Sequence, residues 1–319
     1  MAGARVSGCG PEWPGARADA GGGLRGRPLP GVRPGARARD QPPVPRRLHD
    51  RGQWKVTALG FSLQPEERTL ELLAAVIREE PDYYEVAPET LWRRDRAGRF
   101  HPNGFHELFA ALAAETGKPF VAHGVGMSLG TVHPDATDRA RRLARVTADH
   151  ALFQFLWYTD HLGATTLDGL ELTLPMPPFM SRETAAIVRS GLATMRAVVP
   201  DVGVENSVFY FHLGDPLDEP AFLADIVRDP GHHLLLDLHN VYTTAVNADF
   251  DPWVYVERLP LEKVIEIHLS GGSESDPKWL ASKRVMRLDS HDHSVPDEVW
   301  TLFERTLPLC PNLRGVTLE

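Results

Sequence analysis

Cysteine is scarce. The 319 residues hold two, Cys9 and Cys310, with no Cys-x-x-Cys spacing. Neither a disulfide framework nor an all-thiolate metal site is expected from that count. No apolar run reaches the length that spans a bilayer, so no membrane segment is expected and a reducing cytoplasm is the expected compartment. Positive charge is in deficit: 34 Lys and Arg stand against 43 Asp and Glu, a net charge of −9. An acidic chain argues against general nucleic-acid binding, which needs a basic surface. Nucleophile signatures are missing too, since no Ser/His/Asp or Cys/His pattern is evident. The glycines of His123-Gly-Val-Gly-Met-Ser-Leu-Gly130 follow an apolar run, but they fit neither GxGxxG nor a Walker loop. They read as a loop that lets backbone approach a metal or substrate closely.

Residues 1–50 differ from the rest. They hold nine arginines, ten glycines and eight prolines, and few large apolar residues. Such a segment cannot bury enough surface to offset its ordering entropy. It lacks the apolar core of a signal peptide and the Ser-rich amphipathic pattern of a transit peptide. A disordered leader is expected here, an over-extended translation start or a basic docking tail. With 42% hydrophobic residues, the chain from 51 to 319 is long enough for one large core and is expected to form a single metal-dependent catalytic domain.

Past the leader, short apolar runs alternate with helical patterns. Strands are predicted at 56–61, 83–87, 119–123, within 154–161, and at 202–205, 233–238, 264–269 and 313–318. Helical spacing falls at 66–80, 105–116, 135–151, 183–199, 219–228, 240–259 (in parts) and 295–306. The stretch 163–178 reads as a long insertion. Eight strands alternating with helices predict a (β/α)8 TIM barrel, whose active site lies at the strand ends.

Those ends share one chemistry. The third strand ends in His123, the fourth in His161 and the fifth in Glu205. The sixth ends around Asp237, followed by His239 and Asn240. The seventh ends around His268, with Asp289 and His291 on the loop beyond, and the eighth ends in Glu319. From His123 to His161, Glu205, Asp237, His268 and Glu319 the separations are 38, 44, 32, 31 and 51 residues, each about one βα repeat. Every one of these side chains can ligate a metal, and none is Lys or Arg. Unpaired carboxylates converging in one cleft repel one another, and a multivalent cation removes that cost. The number of donors exceeds what one ion needs, so two or three metals with a bridging carboxylate, Glu205, are expected. Mixed imidazole and carboxylate donors suit Fe, Mn or Zn better than Mg or Ca. Glu205, Asp237 and His268 are the residues expected to carry catalysis. Glu85 and Glu89 are expected to contact substrate, and Asp292 and His293 to support the ligands from behind or start the following helix. His101, His106, His133, His150, His212, His232 and His233 fit no pattern and read as ordinary.

Several runs then resemble one family. They are Tyr84-Glu85-Val86-Ala87-Pro88-Glu89, the glycine loop after His123, Asp160-His161-Leu162, Glu205-Asn206, Leu234 to Tyr242, Glu266-Ile267-His268-Leu269, and Asp289 to Trp300. Together they resemble the multinuclear iron-dependent oxidases, also called domain-of-unknown-function family 692 and typified by the methanobactin biosynthesis oxidase. The resemblance covers about 56–319. It implies a TIM barrel holding about two or three irons. It also implies modification of a ribosomally made precursor peptide, usually at cysteine, with dioxygen, beside a small partner protein that recognises the peptide leader. Carried over residue by residue, His123, His161 and Glu205 would hold one iron. Glu205, Asp237, His268 and Glu319 would hold a second. Asp289 and His291, with His239 or Asn240, would hold a third, more labile one. In the implied reaction a substrate thiolate binds a ferrous ion and dioxygen removes hydrogen from the cysteine β-carbon. Three departures stand out: His239-Asn240 replaces the usual Asn-Asn, Ser207 replaces the usual Pro, and the sequence stops at Glu319 where relatives continue. Two other classes remain open on the residues alone. One is a Zn- or Mn-dependent hydrolase or sugar-isomerase-like barrel. The other is a non-catalytic scaffold, which has no reason to assemble so many buried charges.

Overall fold

A computed structural model describes residues 57–167 and 170–319. The expected leader at 1–50, Cys9 and the predicted start of the first strand at Val56 lie outside the described residues. Within them the strands are β1 (Ala58–Ser62), β2 (Tyr83–Val86), β3 (Trp92–Arg94), β4 (Phe100–Pro102), β5 (Phe120–Gly124), β6 (Tyr158–His161), β7 (Ala164–Leu167), β8 (Leu170–Met176), β9 (Val202–Glu205), β10 (His232–Asp237), β11 (Val264–Leu269) and β12 (Gly315–Leu318). Eight of them close a parallel barrel in the order β1-β12-β11-β10-β9-β6-β5-β2. The expected TIM barrel is therefore the observed fold. Parallel strands buried on both faces need continuous apolar runs, and Leu234-Leu235-Leu236 and Val264-Ile265 supply them.

Side-chain caps start the helices that connect the strands. Asn103 accepts from Phe105 N and His106 N ahead of the helix Gly104–Thr116, and Asp135 does the same for Ala136–Phe153. Gly117, at φ 64°, ends the first of these in the left-handed conformation that glycine adopts without strain. Asp237 caps Leu238–Ala248 through Asn240 N at 2.6 Å, so a strand-end carboxylate also sits at a helix N-terminus.

Three local differences from the sequence reading have physical causes. The single helix expected at 66–80 is two, Glu67–Leu72 and Ala74–Glu79, because Leu73 leaves helical geometry between them. The insertion at 163–178 is an antiparallel hairpin of β7 and β8, and β3 pairs with β4 in another. Strands β3, β4 and β7 are three or four residues long, too short for alternation to separate them from loop, whereas β8 spans seven. The helical stretch after Asp237 breaks at Asp249, at φ 60°, before resuming at Pro252–Val256.

The lower half of the barrel is filled. Gly60 and Gly315 flank Tyr83, and a Cβ at either would run into its ring. Their lack of side chain admits that ring to the interior. Tyr83 meets Trp157 edge-on with centroids 5.5 Å apart. Between them lies the fully buried Glu266 carboxylate. It accepts from Tyr83 Oη at 2.8 Å, Trp157 Nε1 at 2.6 Å and Thr317 Oγ1 at 2.5 Å.

Outside the barrel, the fully buried Asp149 ties three elements together. It accepts from Trp92 Nε1 of β3 at 2.7 Å, from His106 Nε2 at 2.9 Å, and from Arg145. Asp149→Ala leaves the Trp92 N–H and the Arg145 guanidinium without their shared acceptor. Removing one partner of a buried pair costs about 3–5 kcal/mol, so the denaturation midpoint of this variant is expected to fall by that equivalent. A urea titration that left the midpoint unchanged would contradict this role.

Candidate metal centre

The C-terminal ends of six barrel strands converge at one mouth. His123 stands on β5, His161 ends β6, Glu205 ends β9, Asp237 ends β10, His268 lies on β11, and Glu319 follows β12. Register makes neighbours of His161 and Glu205, and of Asp237 and His268. Glu205 Oε2 lies 3.4 Å from His123 Nε2 and 3.2 Å from His161 Nε2. His268 Nδ1 lies 4.0 Å from Glu205 Oε1 and 3.1 Å from Glu319 Oε2. Three groups of three donors, His123-Glu205-His268, Asp237-His268-Glu319 and Glu85-Glu266-His268, each have their ligand atoms within 4.8 Å of one another. They share His268.

The rear of each imidazole is fixed. His123 Nδ1 bonds Thr159 Oγ1 at 2.9 Å, and His161 Nδ1 donates to the Gly124 carbonyl at 3.0 Å. Both rings therefore present Nε2 to Glu205. His268 is reversed: Nε2 donates to Glu85 Oε2 at 2.9 Å, and Nδ1 faces the centre. Asn206 locks the β9 and β10 ends together. Its amide donates to Asp237 O, and its Oδ1 accepts from Asp237 N, both at 2.9 Å. Asn240 Nδ2 donates to Glu205 Oε1 at 3.3 Å and to Asn206 O at 3.0 Å.

The atoms facing inward have nothing to bond. His123 Nε2, Glu205 Oε2, Asp237 Oδ2, His239 Nδ1, Asn240 Oδ1, His268 Nδ1 and Glu319 Oε2 are all buried without a hydrogen-bond partner among the described residues. The short separations above are close approaches toward a common point, without hydrogen-bond geometry. At about 1–3 kcal/mol per orphaned group, seven would cost on the order of 10 kcal/mol, comparable to the whole stability of a domain. Cation ligation removes that cost, and the donor set fits a metal.

The electrostatics agree. Burial, and then the charges of Glu205, Asp289 and Glu319, push Asp237 well above the usual carboxylate range. Burial would raise Glu205 too, but the imidazoles of His161, His123 and His268 outweigh it and hold it below its ordinary value. Burial would lower His268, yet Glu319 and Glu85 outweigh burial and raise it well above an ordinary imidazole. A cation at the centre would replace this proton-dependent balance.

A second layer comes from the loop after β11. An antiparallel bridge between Glu274 and Arg287 folds its arm back, and Asn247 holds Arg287 by both backbone groups, N–H at 2.8 Å and C=O at 2.9 Å. Asp289 N donates to Tyr210 Oη at 3.1 Å. Asp289 Oδ1 then reaches His291 Nε2 at 2.8 Å and lies 3.4 Å from His239 Nδ1, while His291 Nε2 is 3.8 Å from Glu319 Oε2. His291 has φ 51°, a left-handed conformation rare for non-glycine residues, and it turns the ring back to the centre. Burial would lower His291, but Asp289 and Glu319 raise it to about 10. His239, rather than Asn240, is thus the neighbour of the Asp289–His291 pair.

Three expected roles need correction, those of Glu85, Asp292 and His293, whereas Glu89 is half-buried with Oε2 unpartnered. Glu85 is 1% exposed and engaged with His268, so it has no face for substrate. Glu89 accepts from Gly126 N at 2.9 Å and buttresses the glycine loop from below. Asp292 and His293 have exposed side chains that pair with each other at 2.9 Å, because the turn at His291 sends them outward. What sequence reasoning missed is the supporting set: Glu266, Tyr83, Thr159, Asn206 and Tyr210. Of these Asn206 and Glu266 stand in runs that carry the resemblance, and Tyr83, Thr159 and Tyr210 carried no signal. Among histidines read as ordinary, His101, His106 and His233 are paired with Asp95, Asp149 and Asp201 away from the mouth.

Comparison with known proteins follows this geometry. The chain is 33% identical over 207 residues to a UPF0276 protein of Caulobacter vibrioides, covering 64% of this chain and 70% of that one. It is 28% identical over 261 residues to a UPF0276 protein of Pseudomonas aeruginosa, covering 82% and 84%. Among solved structures, D-allulose 3-epimerase from a Methylomonas species superposes with a TM-score of 0.52 at 14% identity, over 82% of this chain and 83% of that one. That likeness shows the shared barrel alone. The description RiPP precursor modification enzyme MbnB/TglH/ChrH, where RiPP denotes a ribosomally synthesised and post-translationally modified peptide, matches residues 59–319. With the match spanning every strand end of the centre, the chain belongs to the MbnB/TglH/ChrH family of RiPP precursor modification enzymes.

Proposed function

We propose that this enzyme is a multinuclear iron-dependent oxidase that uses dioxygen to modify a ribosomally made precursor peptide at cysteine. The proposal includes a cytoplasmic setting and a small partner protein that recognises the peptide leader. Among the described residues no helix is long and apolar enough to cross a membrane. The observation that carries the reading is the set of buried, partnerless imidazole and carboxylate atoms at the barrel mouth of a peptide-modifying family.

His123, His161 and Glu205 would hold one ion. Glu205, Asp237, His268 and Glu319 would hold a second. Asp289, His291 and His239 would hold a third, with Asn240 steering Glu205 by its hydrogen bond. Bound iron would supply thiolate coordination and dioxygen reduction, which no side chain here can perform. The remaining work belongs to the protein. His123, Glu205, Asp237 and His268 are almost fully buried, whereas the side chains of His161 and His291 are 25% and 32% exposed. The buried four form a fixed floor, and the exposed pair faces the opening through which a peptide side chain enters. The glycine loop contributes bare backbone beside His123. Gly124 has no room for a Cβ against Tyr158 and Asp160, so the strand end takes no side chain there. A peptide backbone laid across the rim would exclude water from the floor.

Protein purified without oxygen is expected to carry about two or three irons per chain, with coupled signals by Mössbauer spectroscopy. His161→Ala and Glu205→Ala are expected to lose iron and peptide turnover together. Full occupancy by zinc or manganese without iron uptake would instead favour a hydrolase or isomerase chemistry.

A pH dependence follows from the imidazoles. Burial would lower His123, but Glu205 outweighs it and raises it from the ordinary 6.5 to about 9, while His291 rises to about 10. These rings therefore keep protons at neutral pH that an incoming metal must displace. Apparent metal affinity is expected to rise with pH between about 7 and 10, with proton release visible by calorimetry in buffers of different ionisation enthalpy. An affinity flat across that window would rule out these two imidazoles as ligands.

A further inference from the structure

We infer that Glu85 is a positioning residue that makes Nδ1, rather than Nε2, the metal-facing atom of His268. The inference rests on the metal-centre reading and goes beyond it, because it concerns a residue outside the ligand set. Glu85 Oε2 lies 2.9 Å from His268 Nε2, and both side chains are almost fully buried. A carboxylate only accepts, and Nε2 hydrogen-bonds Glu85 whereas Nδ1 has no hydrogen-bond geometry to Glu319, so once a metal is bound the ring proton belongs on Nε2. Nδ1 then carries the lone pair, 3.1 Å from Glu319 Oε2.

Glu266 is the other carboxylate at hand, with Oε1 3.8 Å from His268 Nε2. It is already taken by Tyr83, Trp157 and Thr317. Among the described residues this leaves Glu85 as the acceptor for the ring N–H. Barrel register fixes its place, since Glu85 pairs with Ser62 of β1 on one side and Val121 of β5 on the other. The chain thus orients His268 from behind by a carboxylate, while His123 and His161 are oriented by neutral oxygens of Thr159 and Gly124. A carboxylate behind a ligating imidazole locks the tautomer and raises the basicity of the opposite nitrogen. The ring shared by all three donor groups is therefore the one with the strongest electrostatic backing.

The test uses the full chain, stripped of metal and reloaded with Co2+ without oxygen. Two readouts are taken: Co2+ affinity by chelator competition, and the hyperfine-shifted ring N–H protons in the proton NMR spectrum. In Glu85→Gln, Co2+ affinity is expected to fall about 10–100-fold. One ring N–H resonance is expected to move or vanish while those of His123 and His161 stay. Glu89→Gln, which alters a carboxyl bonded to the glycine loop, is the control and is expected to change neither readout. If Glu85→Gln does not fold, Glu85→Asp withdraws the carboxylate by one methylene and is read in the same way. Wild-type affinity and an unmoved spectrum in the Glu85 variant overturn the inference and leave the metal centre standing. A wild-type protein that takes up neither Co2+ nor iron overturns the metal-centre reading, and this inference with it.

Discussion

Repulsion among the buried carboxylates is the constraint on which the mouth of this barrel depends. Glu205, Asp237 and Glu319 point toward one another in a region where water does not reach them. Three imidazoles offset part of that charge, and two hydrogen bonds from Asn240, its Nδ2 to Glu205 and its backbone N–H to Asp237, offset a little more. A bound cation would offset the remainder. The centre is thus built in tension, and the tension is located where the chemistry is. Every surrounding device serves to keep the carboxylates from relaxing away: the Asn206 amide bridge between β9 and β10, the helix start at Asp237, and the rear contacts on each imidazole.

Much of this was legible in the sequence, for reasons that differ by level. The barrel was legible because buried parallel strands need uninterrupted apolar runs, and helices between them need periodic ones. The strand-end residues were legible because each ended an apolar run with a group that apolar surroundings penalise, as His161 and Glu205 do. Their roles were harder. Glu85 looked like a substrate contact because sequence places it at the mouth but cannot say that it lies behind His268. Glu266 looked unremarkable in the run Glu266-Ile267-His268, since its partners Tyr83, Trp157 and Thr317 come from three distant strands. Asp292 and His293 looked like supports because their type and position matched, and only the left-handed turn at His291 sends them outward. The β3–β4 hairpin and β7 were invisible because strands of three or four residues carry too little alternation.

The two shells around the centre also differ in kind. The floor is made from strands whose register is fixed by the closed sheet. The rim, with Asp289 and His291, is made from a loop arm held by Asn247, Tyr210 and one antiparallel bridge. Geometry at the floor is therefore enforced by the fold, whereas geometry at the rim is enforced by a handful of side-chain bonds. A substitution such as Asn247 or Tyr210 acts on the rim without touching any ligand.

The plug of Tyr83, Trp157 and Glu266 beneath the centre has a consequence for traffic. Two glycines make room for the tyrosine ring, and the ring closes the barrel from below. Among the described residues Tyr83, Trp157 and Glu266 fill the axis beneath the centre, so a reactant would enter and leave at the mouth. Reactants must then queue: whichever arrives last is the one in contact with solvent, and a large occupant shuts out those still waiting. The order of arrival is imposed by architecture, before any affinity is considered.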